Sequence, residues 1–223
     1  MPKIGVVLSG CGVMDGSEIH EAVLTLLALS QNGAESVCMA PDVDQYHVIN
    51  HLTNQEMPEK RNVLVESARI ARGKIKEIKK VKASEVDALI FPGGFGAAKN
   101  LSTFCFDGAD CKFDPEVARL AREFHQAGKP IGAICISPAL MAKIFEGKSI
   151  RVTIGNDAGT AEAIKKLGNQ HVNCGVRETC VDQKNKFVTT PAYMLAQNIA
   201  EAYEGIEKLV FEVLNLTKEP VQK

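Results

Sequence analysis

Cysteine 135 ends a short apolar run, Ile131-Gly132-Ala133-Ile134, and Ile136-Ser137-Pro138 follows it directly. A strand that breaks straight into a helix presents the residue at the break on a sharp turn, and α/β proteins expose nucleophiles in this way. The chemistry would be that of a thiol. Free cysteine has a pKa of about 8.5, and the amides at a helix N-terminus favour the thiolate over the thiol. The competing reading is a small buried side chain with no chemistry, since free cysteines are often core residues.

Two other segments carry residues of special backbone freedom. Pro92-Gly93-Gly94-Phe95-Gly96-Ala97-Ala98-Lys99-Asn100 follows an apolar run. Adjacent glycines expose successive N–H groups that make an anion-binding concavity. Beside a thiol nucleophile such amides form an oxyanion hole. Gly93 and Gly94 are the candidates on this loop, with Gly94 N–H and Ile136 N–H as the paired donors; Lys99 either adds charge or faces water. The same segment also fits a tight loop that binds nothing. The other segment is Ser9-Gly10-Cys11-Gly12-Val13-Met14-Asp15-Gly16-Ser17. It approaches a dinucleotide loop but has Asp15 where the last glycine belongs, and no Walker lysine follows. Nucleotide binding is therefore not expected. This loop delivers Glu18 and Glu21 to the start of the next helix. Carboxylates there usually complement the helix dipole. One that faces Cys135 from a dry cleft would have a raised pKa and could move protons.

The elements that must position these residues follow from the apolar pattern. Residues 4–8, 36–40, 87–91 and 131–134 read as buried strands, and 18–31, 63–71, 114–127 and 138–145 as helices. Asn32-Gly33 and Gly128 are helix stops, and Asp114-Pro115 is an N-cap followed by proline. Minor strands are expected at 48–49 and 75–78, and later strands at 151–154, 172, 180–181 and 187–189, with a turn at 182–185. A long helix is expected over 193–216. Such alternation without a linker or repeat predicts one domain over residues 1–223. Its fold class is α/β, a doubly wound, mostly parallel sheet covered on both faces. Ligands bind such sheets outside the carboxyl ends of the strands, at a topological switch point.

Composition narrows the function classes. The 223 residues are 45% hydrophobic and 24% charged, with a formal net charge of -1 and no long single-sign block. Nucleic acid is not an expected partner. No apolar run reaches bilayer-spanning length, so no membrane role is expected. Seven cysteines, an odd number without a C-x-x-C pair, fit a reducing compartment. His47 and His51 have metal-ligand spacing only formally, and neither a metal nor an organic cofactor is expected. Core-like residues begin at Ile4, which leads to the expectation of a cytoplasmic protein.

Four long motifs carry a resemblance: residues 11–22, 92–102, His-Gln-Ala-Gly-Lys-Pro-Ile-Gly at 125–132 and Val-Thr-Thr-Pro-Ala-Tyr-Met at 188–194. The chain resembles the ElbB family, in the PfpI-like branch of the class I glutamine amidotransferase superfamily. The resemblance implies a flavodoxin-like three-layer sandwich, a homodimer, and a glutathione-independent glyoxalase activity on small dicarbonyls or a related protein deglycation. By motif, Cys135 matches the elbow cysteine and Glu21 the acidic partner, with Glu18 as the alternative. The wider superfamily places a histidine after the nucleophile or late in the domain. This chain has Ile136 and Pro191-Ala192-Tyr193 there. A Cys–carboxyl pair without a relay histidine suits aldehyde chemistry: hemithioacetal formation at Cys135 and proton movement by Glu21. Two rivals remain. One is a redox sensor with a low-pKa Cys135. The other is an amidase remnant, which needs a histidine beside Cys135.

Overall fold

The computed structural model describes residues 1–219; residues 220–223 of the expected 1–223 unit lie outside that range. Its main sheet has seven strands, numbered here β1 Lys3–Val7, β2 Glu35–Ala40, β3 Ile75–Glu77, β4 Ala88–Phe91, β5 Ile131–Ile134, β6 Cys180–Asp182 and β7 Phe187–Thr190. Their spatial order is β6-β7-β5-β4-β1-β2-β3. Every pairing is parallel except β6 with β7. The chain starts in the middle, winds outward through β2 to β3, and returns across β1 to β4. The switch point is therefore the crevice beyond the carboxyl ends of β1 and β4, with β5 next to it.

Helices cover both faces because β4 and β5 are buried along their whole length and need apolar cover above and below. On one face pack α1 (Ile19–Gln31), α2 (Val63–Ile70) and α7 (Ile199–Lys218), with Ala28, Leu29, Ile206 and Val210 fully buried. On the other pack α4 (Pro115–Gln126), α5 (Ser137–Ile144) and α6 (Ala158–Lys166), where Phe124, Met141, Ile164 and Phe187 meet. A short α3, Phe95–Lys99, lies above the carboxyl ends of the strands. The flavodoxin-like sandwich is the expected one.

Local chemistry explains most boundaries. The Asp114 carboxylate accepts N–H bonds from Glu116 and Val117, with Pro115 at the first helical position. The C-terminal helix corrects its expectation: it begins at Ile199, not Tyr193. The Asn198 side chain caps it by accepting from Glu201 N–H, and Glu201 accepts from Gln197 N–H. Residues 192–194 instead form a separate 3-10 turn. Helix α6 was not anticipated; Asp157 caps it through Thr160 N–H.

Candidate functional site

Three connections leave the carboxyl ends of β1, β4 and β5, and main-chain bonds knit them into one surface. Phe95 N–H donates to Val13 O (2.8 Å), Gly96 N–H to Gly16 O (2.8 Å) and Glu18 N–H to Gly93 O (3.0 Å). The Asn100 side chain donates to both Ser9 O and Asp15 O. Ser137 Oγ ties the start of α5 to Pro92 O at 2.8 Å.

Cys135 stands at the centre of this surface with φ +62°, a left-handed conformation that a non-glycine residue adopts at a cost of roughly 1–3 kcal/mol. Its N–H is held by Thr190 O of the neighbouring strand (3.0 Å). The strain is thus over-determined by the sheet on one side and α5 on the other, as a nucleophile elbow requires. The sulfur lines a cavity of 260 Å³ together with Glu18, Gly94, Ile136 and Tyr193, with Val13, Phe95 and Met194 at its walls.

Glu21 is the acid that meets the thiol. It is wholly buried in the first turns of α1. Its Oε2 accepts from Gly93 N–H (2.8 Å) and its Oε1 from Tyr193 N–H (3.2 Å), and the Cys135 side chain packs beside it at Gly93. Burial first, and the charge of Glu18 second, push Glu21 up to about 8 against the weaker pull of those hydrogen bonds. The acid therefore holds a proton at neutral pH. Glu18, the alternative partner, has a different task. Its Oε2 caps α1 by accepting Glu21 N–H at 2.7 Å, and its side chain lies on the cavity wall.

The expected ready thiolate is corrected. Burial and then the charge of Glu21 hold the Cys135 thiol well above the ordinary cysteine range. Only 8% of the residue is exposed. The Gly94 and Ile136 N–H groups act in the opposite direction. These are the two donors the sequence suggested. Gly93 does not join them, because its N–H is committed to Glu21. Its contribution is absence of bulk. A Cβ there would lie 2.5 Å from Cys135 Cβ and 2.6 Å from Glu21 Oε2, so glycine is what lets acid and thiol meet.

Lys99 does not serve the cavity. Its Nζ donates to Met14 O (3.1 Å) and meets His47 Nε2 (3.0 Å). His20 Nδ1 pairs with Tyr193 Oη at 2.7 Å. Among the described residues no histidine hydrogen-bonds Cys135, and no cluster of three metal-ligating side chains is present. Tyr193 is the functional residue that sequence reasoning missed as a site residue.

The chain's similarities give its family. The model of the DJ-1/PfpI family matches residues 12–201. The human glutamine amidotransferase-like class 1 domain-containing protein 3, mitochondrial, is 55% identical over 225 residues, spanning 96% of this chain and 83% of the relative. The rat ES1 protein homolog, mitochondrial, is 54% identical over 226 residues, spanning 96% and 84%. The crystal structure of an isoprenoid biosynthesis protein with amidotransferase-like domain from Ehrlichia chaffeensis superposes with a TM-score of 0.92 at 39% identity, covering 98% of this chain and 100% of that one. The superfamily expected from the motifs holds, but these relatives do not carry the ElbB name. The expectation of a cytoplasmic location is corrected, since both mammalian relatives are named as mitochondrial.

Proposed function

The chain belongs to the DJ-1/PfpI family, and we propose that it acts there as a glutathione- and cofactor-independent glyoxalase, converting small dicarbonyls to 2-hydroxy acids. The observation that carries this reading is the buried Cys135–Glu21 pair, packed side by side at Gly93 with no imidazole hydrogen-bonded to either among the described residues.

The pair titrates as one unit. With Glu21 protonated, the repulsion that opposes the thiolate is gone. Thiolate forms in the minor tautomer in which Glu21 keeps its proton and the charge lies on sulfur, favoured by the Gly94 and Ile136 N–H groups. The thiolate adds to the aldehyde carbon of the dicarbonyl, a C–S bond forms, and the opened carbonyl becomes an alkoxide beside the same amides. Glu21 gives its proton to that alkoxide. Now a carboxylate, it takes the C–H proton from the former aldehyde carbon and returns it to the adjacent carbon, while the hydroxyl proton passes to the second oxygen. One carbon is oxidised and its neighbour reduced, so no external oxidant is needed. The product is a 2-hydroxyacyl thioester. Water cleaves its C–S bond, releasing the hydroxy acid and restoring the thiol.

Lactate formation from methylglyoxal by the purified chain tests this reading. Cys135→Ala is expected to reduce it to background, and retained activity in that variant would refute the assignment. A pure redox sensor predicts the reverse pattern: rapid peroxide oxidation of Cys135 and no lactate. The raised thiol pKa and low exposure favour the glyoxalase over that sensor.

A further inference from the structure

The cavity above Cys135 is larger than the simplest substrate and lacks any cation. Its 260 Å³ is the space of about nine waters at roughly 30 Å³ each, whereas glyoxal has only two carbons and two oxygens. The surplus is bounded by apolar side chains. Val13 and Phe95 form the rim, each partly exposed, and Ile136 and Met194 continue the wall inward. The rim is pinned, because Phe95 N–H donates to Val13 O at 2.8 Å. Tyr193 turns its hydroxyl to His20, outside the lining. Among the described residues no lysine, arginine or histidine lines the space; Lys99, its Nζ 4.7 Å from the centroid of the Phe95 ring, is held by Met14 O and His47. Among the described residues the only acidic side chain on the wall is Glu18.

We propose that this site selects neutral aldehydes carrying a short apolar substituent beside the reacting carbonyl, and rejects anionic ones such as glyoxylate. The proposal deepens the glyoxalase reading and rests on Cys135 as its nucleophile. Two physical effects drive it. Apolar walls reward each buried methylene by about fourfold in affinity for the transition state. A negative substrate would lose its hydration shell opposite an acidic side chain without gaining a cation in return.

Two measurements on the full chain test the proposal independently. The first is kcat/KM along a series of 2-oxoaldehydes whose substituent grows from hydrogen through methyl to propyl and pentyl. The expected result is a rise of about fourfold per methylene that levels off once the substituent reaches the rim. Phe95→Ala should flatten that rise. The second measurement needs no turnover. Rates of alkylation by iodoacetamide and iodoacetate are read at the Cys135 peptide by mass spectrometry and normalised to exposed Cys105 in the same sample. Neutral iodoacetamide should be preferred at Cys135 by tenfold or more over its preference at Cys105, and Glu18→Gln should shrink that ratio. A flat substituent series, or equal normalised rates for the two reagents, overturns the proposal. If the alkylation preference holds while no dicarbonyl is consumed, the charge selectivity of the cavity stands and the glyoxalase reading fails.

Discussion

Two cysteines of this chain sit on loops beyond the carboxyl edge of the sheet, each within electrostatic reach of a buried glutamate. Cys135 has Glu21, and Cys11 has Glu66. The residue types match, but the surroundings do not. Glu66 meets two guanidinium groups, Arg69 Nε at 2.9 Å and Arg61 Nη1 at 3.5 Å. Glu21 meets only neutral N–H donors and the thiol. Burial is also the main influence on Cys11, followed by Glu66, with Arg69 acting against both. Cys11 has no elbow: among non-glycine residues of the site only Cys135 and Ala192 have positive φ. A carboxylate matched by cations is committed to structure. An acid buried without a cation keeps its proton and can trade it, and pKa perturbation of that kind marks functional sites.

The sharpest way to break this comparison is to remove each sulfur. Cys135→Ala should take dicarbonyl turnover to background, whereas Cys11→Ala should leave it within about twofold; similar losses in both would erase the distinction. The acids come next. Glu21→Gln is expected to lower kcat by about 10²–10⁴-fold with the fold intact by circular dichroism, the range for a lost general acid–base. Glu66→Gln should leave kcat nearly unchanged and cost about 1 kcal/mol in urea denaturation, because its partly exposed arginines are screened. Gly93→Ala probes the contact between thiol and acid. The added methyl overlaps both side chains, so a stability loss of about 1–3 kcal/mol should accompany reduced turnover.

A further effect is in pH. Glu21 ionises near 4.5 when unfolded and at about 8 when folded, so the folded chain binds the extra proton between those values. Stability should fall as pH rises through that window, by at most about 1.4 kcal/mol per pH unit, and Glu21→Gln should remove that slope. Alkylation of Cys135 by iodoacetamide should accelerate only above that window, because burial and the charge of ionised Glu21 hold the thiol well above the ordinary cysteine range. A rate already at its plateau at pH 6 would mean a resting thiolate.

Which parts were legible follows from the range of each interaction. The elbow was readable because Ile131–Ile134, Cys135 and Ser137-Pro138 are consecutive. So was the cap at Asp114. The Asn198 cap was equally local, yet the apolar pattern running back to Tyr193 masked it. Glu18 and Glu21 were indistinguishable because residues three apart share a helix face. The position of the Gly93 backbone against α1 decided between them.

The order of residues along the chain was enough to determine the alternating α/β architecture, the strand-to-helix break at Cys135 and the Ile136 amide beside it, since each depends on neighbours in sequence. The proton held by Glu21, the unionised thiol, the diversion of Lys99 and the apolar cavity wall were decided only by tertiary structure. They depend on how deeply side chains from distant segments are withdrawn from water and on which charges face them there, and desolvation and Coulomb interactions act through space, not along the chain.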